Sequence, residues 1–285
     1  MTKAPHLHCI NLFITKRCNL RCRHCAVFAP YYQKPRELSA ELAAKLLETF
    51  FQMVDSVDIF TINGGEPLTH SELPRILKTI FTWSDKVLKR FDFLSNGSLD
   101  IPDDVLSIMA AQGQKLRIII DDYGQLSPKV PRLIKILTES GIPFKVNTFH
   151  TDNPLYGGWV DFTDHRFRQR SQQEQEQLTK GCLAYTRSWF GIAENGEICR
   201  CQRSFWRNNL GLYPKPADEL LNLLDENLSI EEKREKLLHV IALPTLTSCA
   251  YCDGHTNSRQ RHQPAEQLPP KQPGALGDLS RGKKS

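Results

Sequence analysis

Between residues 9 and 149 the chain alternates short apolar runs with segments whose apolar residues recur at helical spacing. "CINLFIT" (9–15) reads as a strand. "SAELAAKLLETFFQMV" (39–54) reads as a helix, with Ser39 placed to cap it. "VDIFTINGG" (57–65) is a strand running into glycines, and "SELPRILKTIFTWS" (71–84) a helix with Ser71 as cap and Pro74 in its first turn. "RFDFLSNG" (90–97) is a strand ending in a turn signal, and "IPDDVLSIMAAQG" (101–113) a helix ending at a glycine. "KLRIIIDD" (115–122) is apolar enough for a strand buried on both faces. Residues 127–141 form a helix entered late because of Pro128 and Pro131, and "PFKVNTF" (143–149) a fifth strand. Five such alternations predict right-handed βαβ units around a parallel sheet, open or closed into a partial barrel. Ligands of either form gather beyond the C-terminal strand ends. There lie the first cysteines, "GGEP" (64–67), "SNG" (95–97) and "DDYG" (121–124).

After Phe149 the pattern breaks. Residues 150–180 are mostly polar; "SWFGIAENGEICRC" (188–201) then reads as a β-hairpin turning at Asn195-Gly196. Helices are expected near 216–227 and 229–241, before "CAYC" (249–252). No repeat of fixed period is present.

Composition adds little until charge and cysteine are placed. The 285 residues are 40% hydrophobic and 24% charged, ordinary for a globular chain able to bury a sizeable core. No apolar run has membrane-helix length and the start lacks a signal-peptide core, so a cytoplasmic protein with no membrane partner is expected. The net charge of +5 is concentrated after residue 256, where six basic residues face two acidic ones. That segment, 257–285, is rich in Pro, Gly and Gln and reads as a disordered basic tail, so the folded part is not expected to bind nucleic acid. Nine cysteines in two groups, in a reducing compartment, point to metal ligation rather than disulfides.

Cys18, Cys22 and Cys25 follow the first strand with the spacing C-x3-C-x2-C. Three sulfurs on a four-iron cluster leave one iron open to a chelating small molecule; zinc would need a fourth ligand, such as His24 or His8. This loop, with "GGEP" after the second strand, resembles the radical SAM superfamily over about residues 9–150. The resemblance implies an α/β fold: a partial (β/α)6 TIM-like barrel over residues 1–180. It implies a [4Fe–4S] cluster on Cys18, Cys22 and Cys25, whose open iron takes S-adenosyl-L-methionine. Gly64, Gly65, Glu66 and Pro67 would line the methionine end of that cosubstrate, with Ser95 and Asn96 near its carboxylate or ribose. His24 stands where many members carry an aromatic residue near the adenine. A flavodoxin- or ferredoxin-type electron donor is implied as partner.

The second group runs Cys182, Gly196, Cys201, then Cys249 and Cys252. Its order resembles the twitch domain, a shortened SPASM domain, and implies a β-hairpin-plus-helix unit over residues 181–256 holding an auxiliary [4Fe–4S] cluster. Cys199 lies two residues before Cys201 on the same strand face, so the residues leave either as ligand; the resemblance favours Cys201. Cys199 is then a buried small residue or a thiol that donates hydrogen to a substrate radical, and Cys9 a core residue.

With four protein ligands, the auxiliary cluster would serve electron transfer. Such relatives oxidise an aminocyclitol alcohol, modify peptides or epimerise sugars and peptides. Tyr156, Trp159, Asp152, Asp161 and Arg168, over the barrel mouth, suit a sugar-like small molecule, and Asp152, Trp159 and Asp161 are its candidate ligands. The expected activity is therefore a radical SAM oxidoreductase acting on a sugar-like or aminocyclitol alcohol. A peptide-modifying enzyme or epimerase is the alternative within this class. A non-catalytic zinc or iron–sulfur protein is the alternative outside it, which "GGEP" argues against.

Overall fold

The computed structural model describes residues 3–187, 190–256 and 259–269. Its strands β1 (His6–Thr15), β2 (Ser56–Gly64), β3 (Val87–Ser95), β4 (Leu116–Asp122) and β5 (Phe144–Thr148) pair in parallel, one beside the next. Between them run α1 (Ala40–Met53), α2 (Leu73–Phe81), α3 (Asp103–Ala110) and α4 (Val130–Glu139). The Ser39 hydroxyl accepts from the Leu42 N–H and caps α1. Pro74 sits at the start of α2, but Ser71 does not cap it; its hydroxyl donates to Glu37. The late entry into α4 holds.

One sheet face is the core. Ile10, Leu12 and Ile14 of β1, Phe60 and Ile62 of β2, and Phe91 and Phe93 of β3 pack against Leu46, Leu47 and Phe50 of α1 and Ile76 and Leu77 of α2. Each such side chain contributes about 2 kcal/mol by leaving water. The alternate strand residues therefore look the other way. In β4 this separates buried Leu116, Ile118 and Ile120 from half-buried Arg117, Ile119 and Asp121. The expectation of a strand buried on both faces thus gives way to one packed face and one open, partly polar face.

The remaining elements are α5 (Gln172–Gly181), α6 (Leu183–Thr186), β6 (Phe190–Ile192), β7 (Glu197–Cys199), α7 (Gln202–Asn209), β8 (Leu221–Asn222) and α8 (Ile230–Ala242). The order is β5-β4-β3-β2-β1-β6-β7-β8: six parallel strands, then β7 and β8 joined by antiparallel pairings. The hairpin turns at Asn195-Gly196, where Gly196 has φ +83°. No helix forms near 216–227. The exposed edge of β7 recruits Leu221 and Asn222 instead, and the period of two is visible in buried Leu221 and Leu223 around exposed Asn222. The helix α5, not expected from its polar sequence, is started by Ser171 and Glu174 in a capping box. Residues 259–269 of the expected tail lie against the first cysteine loop; 270–285 fall outside the described residues. Among the described residues no helix is long and apolar enough to cross a membrane.

Candidate functional site

The parallel sheet brings the loops after β1, β2, β3 and β4 to one edge, and short hydrogen bonds stitch them in order. Gly65 N–H donates to Thr15 O (2.9 Å) and Glu66 N–H to Arg17 O (2.8 Å). The closely packed glycines serve this contact: a Cβ on Gly64 would lie 2.5 Å from Thr15 O, and one on Gly65 2.1 Å from Arg17 O. Glu66 is fully buried, accepting from Leu68 N–H (3.1 Å) and Asn96 N–H (2.7 Å). Ser127 Oγ donates to Asn96 O and accepts from Tyr123 N–H, extending the seam to β4. Pro67 and Ser95 are buried in it. The Asn96 amide donates to Asn19 Oδ1 (3.0 Å) and points at Cys18 Sγ (3.8 Å). "GGEP" and "SNG" thus hold the cysteine loop itself.

Residues 259–269 cover that loop from the other side. Arg23 N–H donates to Glu266 O, Leu268 N–H to Arg21 O, and the Gln267 amide to Cys22 Sγ (3.3 Å). His24 is buried, its ring 4.5 Å from that of His262 and its Nδ1 3.3 Å from Asp161 Oδ1. The His24 contact holds the Asp161 carboxyl well below the usual range. Trp159 is bridged to His262 through the backbone and packs edge-on against Tyr123. Two of the three expected substrate residues, Trp159 and Asp161, therefore adjoin the cysteine loop, whereas Asp152 is exposed on the loop after β5. Tyr156 bonds to Arg187, and Arg168 pairs with Asp253 beside Cys252, so neither is held in that cluster.

The second cysteine group converges as well. Cys182, Cys201, Cys249 and Cys252 line one hollow. Cys182 follows α5, Cys201 precedes α7, and the other two lie on and after the 3-10 turn Thr247–Tyr251. Burial pushes the Cys249 thiol up to about 12. At Cys252 burial also raises the value, but Arg207 and Arg203 outweigh it and leave the thiol below its usual range. Cys199 does not line the hollow. It is buried with Ala193, Phe205 and Leu220, and the Gln202 amide donates to its sulfur. The links between the cysteine groups include the Phe28 ring stacked on Trp206 of α7 and buried Lys16 facing Glu194 at 3.5 Å.

Residues 12–151, from within β1 to just past β5, match the family model for the Radical SAM superfamily. This segment is a radical SAM domain. The chain is 31% identical over 164 residues to the AdoMet-dependent heme synthase of Nitratidesulfovibrio vulgaris, covering 54% of this chain and 43% of that protein. It is 30% identical over 116 residues to GTP 3′,8-cyclase 1 of Mycobacterium tuberculosis, covering 39% and 32%. The chain thus spans less than half the length of these curated relatives. The crystal structure of BtrN in complex with AdoMet and 2-DOIA superposes with a TM-score of 0.56 at 12% identity, over 94% of this chain and all of that one. Native anSMEcpe with bound AdoMet and Kp18Cys peptide gives 0.55 at 13%, over 91% and 92%. At such identities the likeness is one of fold, the α/β partial barrel of radical SAM enzymes.

The radical SAM domain offers a donor set suited to an iron–sulfur cluster. Burial pushes the thiols of Cys18 and Cys22 up to about 12, so a thiolate at either position needs a cation on its sulfur. All three donors are sulfur, the choice of iron–sulfur clusters and zinc. Among the described residues, no three His, Cys, Asp or Glu side chains converge as one metal ion requires. A cubane holds its thiolates further apart, on separate irons.

The open sheet face carries residues not singled out from the sequence. Asn11, Thr61, Asp92 and Arg117 stand in register across β1 to β4, and Arg117 pairs with Asp92 through two bonds of 2.8 and 2.9 Å. Nearer the cysteine loop, Asn147 donates to Asp121 Oδ1 (2.9 Å). The signal for the β3 and β4 members is Arg90, Asp92, Arg117 and Asp121 interrupting the apolar series at alternate positions of "RFDFLS" and "LRIIID".

Burial also raises the Glu66 carboxyl to about 7. A carboxyl raised on folding contributes stability while protonated and loses it as pH rises through its folded value. Between pH 4.5, its ordinary value, and about pH 8, the wild type should lose up to about 3 kcal/mol relative to Glu66→Gln. Anaerobic urea unfolding of both proteins checks this; a pH-independent difference between them would refute it.

Proposed function

We propose that the chain is a radical SAM oxidoreductase acting on a sugar-like or aminocyclitol alcohol, with a second cluster on Cys182, Cys201, Cys249 and Cys252. The observation that carries this reading is the presence of two separate cysteine sets, one stitched to the strand ends of a radical SAM domain and one around a single hollow. When bound, the first cluster and S-adenosylmethionine supply a carbon radical able to take hydrogen, and the second cluster supplies an acceptor for the remaining electron. Cys18, Cys22 and Cys25 hold the first group, and Gly64, Gly65, Glu66 and Pro67 fix the loop that carries it. His24, Ser95 and Asn96 border the cosubstrate. Trp159 and Asp161 border the substrate, with Asp152 on the same loop.

The polar rows of the open sheet face support a hydroxylated substrate. Asp121 lies at the C-terminal end of β4, hydrogen-bonded to Asn147, and its carboxyl is raised to about 6 by burial. That value suits a base that takes the alcohol proton at neutral pH. An external flavodoxin- or ferredoxin-type protein in a reducing cytoplasm would supply the electron. Cys199 is packed among Ala193, Phe205 and Leu220, which favours a buried small residue over a hydrogen donor.

The test is anaerobic reconstitution with iron and sulfide, then dithionite and S-adenosylmethionine. About eight irons per chain and 5′-deoxyadenosine are expected. Bound zinc, or no cleavage by fully loaded protein, would overturn the reading. In the same assay Cys199→Ala should retain about eight irons, whereas Cys201→Ala should lose the second set and keep about four. Equal loss from both variants would refute the assignment of Cys201.

A further inference from the structure

Arg203 and Arg207 are 5% and 1% exposed, and both line the hollow with the four cysteines. Among the described residues neither is paired with a carboxylate. Other arginines nearby are paired: Arg168, Arg170 and Arg259 all converge on Asp253, beside Cys252. Arg203 lies 3.5 Å above the Phe162 ring and directs Nη1 at Cys201 Sγ (3.6 Å), and its Nε has no partner. Arg207 donates to Ser248 Oγ (3.1 Å) and to His165 Nδ1 (3.3 Å), and lines the hollow beside Cys252. A buried guanidinium without a counter-ion is strongly destabilising. The anions that these two can face are the cysteine sulfurs.

We propose that Arg203 and Arg207 are the counter-ions of the auxiliary cluster and raise its reduction potential. This rests on the cluster assigned above to Cys182, Cys201, Cys249 and Cys252. Four thiolates on an oxidised core of charge +2 total −2, which two guanidiniums neutralise. One-electron reduction takes the set to −1 with the arginines and to −3 without them. The arginines therefore favour the reduced state, as charge and hydrogen bonds to sulfur do in iron–sulfur proteins generally. They make this cluster a better acceptor for the electron left on a substrate radical.

The test uses the full chain with Cys18, Cys22 and Cys25 replaced by alanine, so that only the auxiliary set binds iron. Its potential is read by a mediated dithionite titration followed by electron paramagnetic resonance. Arg203→Met and Arg207→Met should each lower the equilibrium constant for reduction about tenfold, which is about 59 mV for one electron. Arg203→Lys and Arg207→Lys should restore most of that shift. Loaded methionine variants with an unchanged potential would overturn the inference and leave the cluster intact. If the methionine variants do not load, lysine variants that do load uphold the need for charge; failure of both makes the role structural and overturns the proposal. Zinc or no metal in the parent would sink the cluster reading itself, and this inference with it.

Discussion

Replacing Cys18, Cys22 and Cys25 together by alanine is expected to abolish 5′-deoxyadenosine formation and to reduce bound iron from about eight to about four per chain. The first effect follows from the site, where no other side chain replaces a lost sulfur. His24 is engaged with His262 and Asp161, and Glu66 is committed to backbone N–H groups. The second follows from separation: the remaining cysteine set lines its own hollow, to which the first loop contributes no residue. The fold should survive, because the loop is held largely by bonds that need no sulfur. Arg17 O accepts from Glu66 N–H, and Arg23 N–H donates to Glu266 O. The cost is the loss of three small groups, one buried and two partly buried, of order 1 kcal/mol each at most. Iron analysis, circular dichroism and product chromatography on one preparation decide the matter. Retained cleavage would refute the assignment of the first loop, and loss of all iron would show one shared centre rather than two.

The sheet was legible because its strands obey simple rules. Apolar residues at every second position of β1, β3 and β4 face the helices, and Ser39, Pro74 and Asn195-Gly196 mark starts and turns by local chemistry alone. The grouping of Cys182, Cys201, Cys249 and Cys252 rests on spacing and a family resemblance; in the fold all four line one hollow. What stayed hidden depends on partners distant in sequence. The polar helix α5 carries no apolar stripe, and its start lay only in Ser171 and Glu174. The strand β8 forms because β7 presents an unpaired edge. Residues 259–269 have a tail-like composition, but the cysteine loop offers Arg21 and Arg23 backbone groups for them to pair with. Arg203 and Arg207 look like solvent-facing charges until the fold sets them among sulfurs. The resemblance has Gly64 and Gly65 line a cosubstrate; what their missing side chains also do, and the sequence does not tell, is make room for Thr15 and Arg17.

That last difference has the second large consequence. Gly65→Ala should destabilise the protein by about 3 kcal/mol or more and prevent the first cluster from loading. The added Cβ would lie 2.1 Å from Arg17 O, 2.6 Å from Arg17 C and 3.0 Å from Cys18 Cβ. Two of these atoms are backbone, so no side-chain rotation relieves the contact; the chain at Arg17-Cys18 must move. Movement there breaks the bond from Glu66 N–H to Arg17 O and shifts Cys18 relative to Cys22 and Cys25. Gly65 has no positive φ to preserve, which isolates close approach as the cause. Gly181→Ala is the control. It ends α5 and its nearest outside atom would be 3.7 Å away, so it should be neutral or stabilise by up to about 1 kcal/mol. Urea unfolding gives the stabilities, and iron analysis of each variant gives the loading. A stable Gly65→Ala protein with about eight irons would mean that the cysteine loop tolerates displacement and that the seam does not position Cys18. A destabilised protein with about four irons would make Gly65 the residue that sets the cysteine loop against the strand ends.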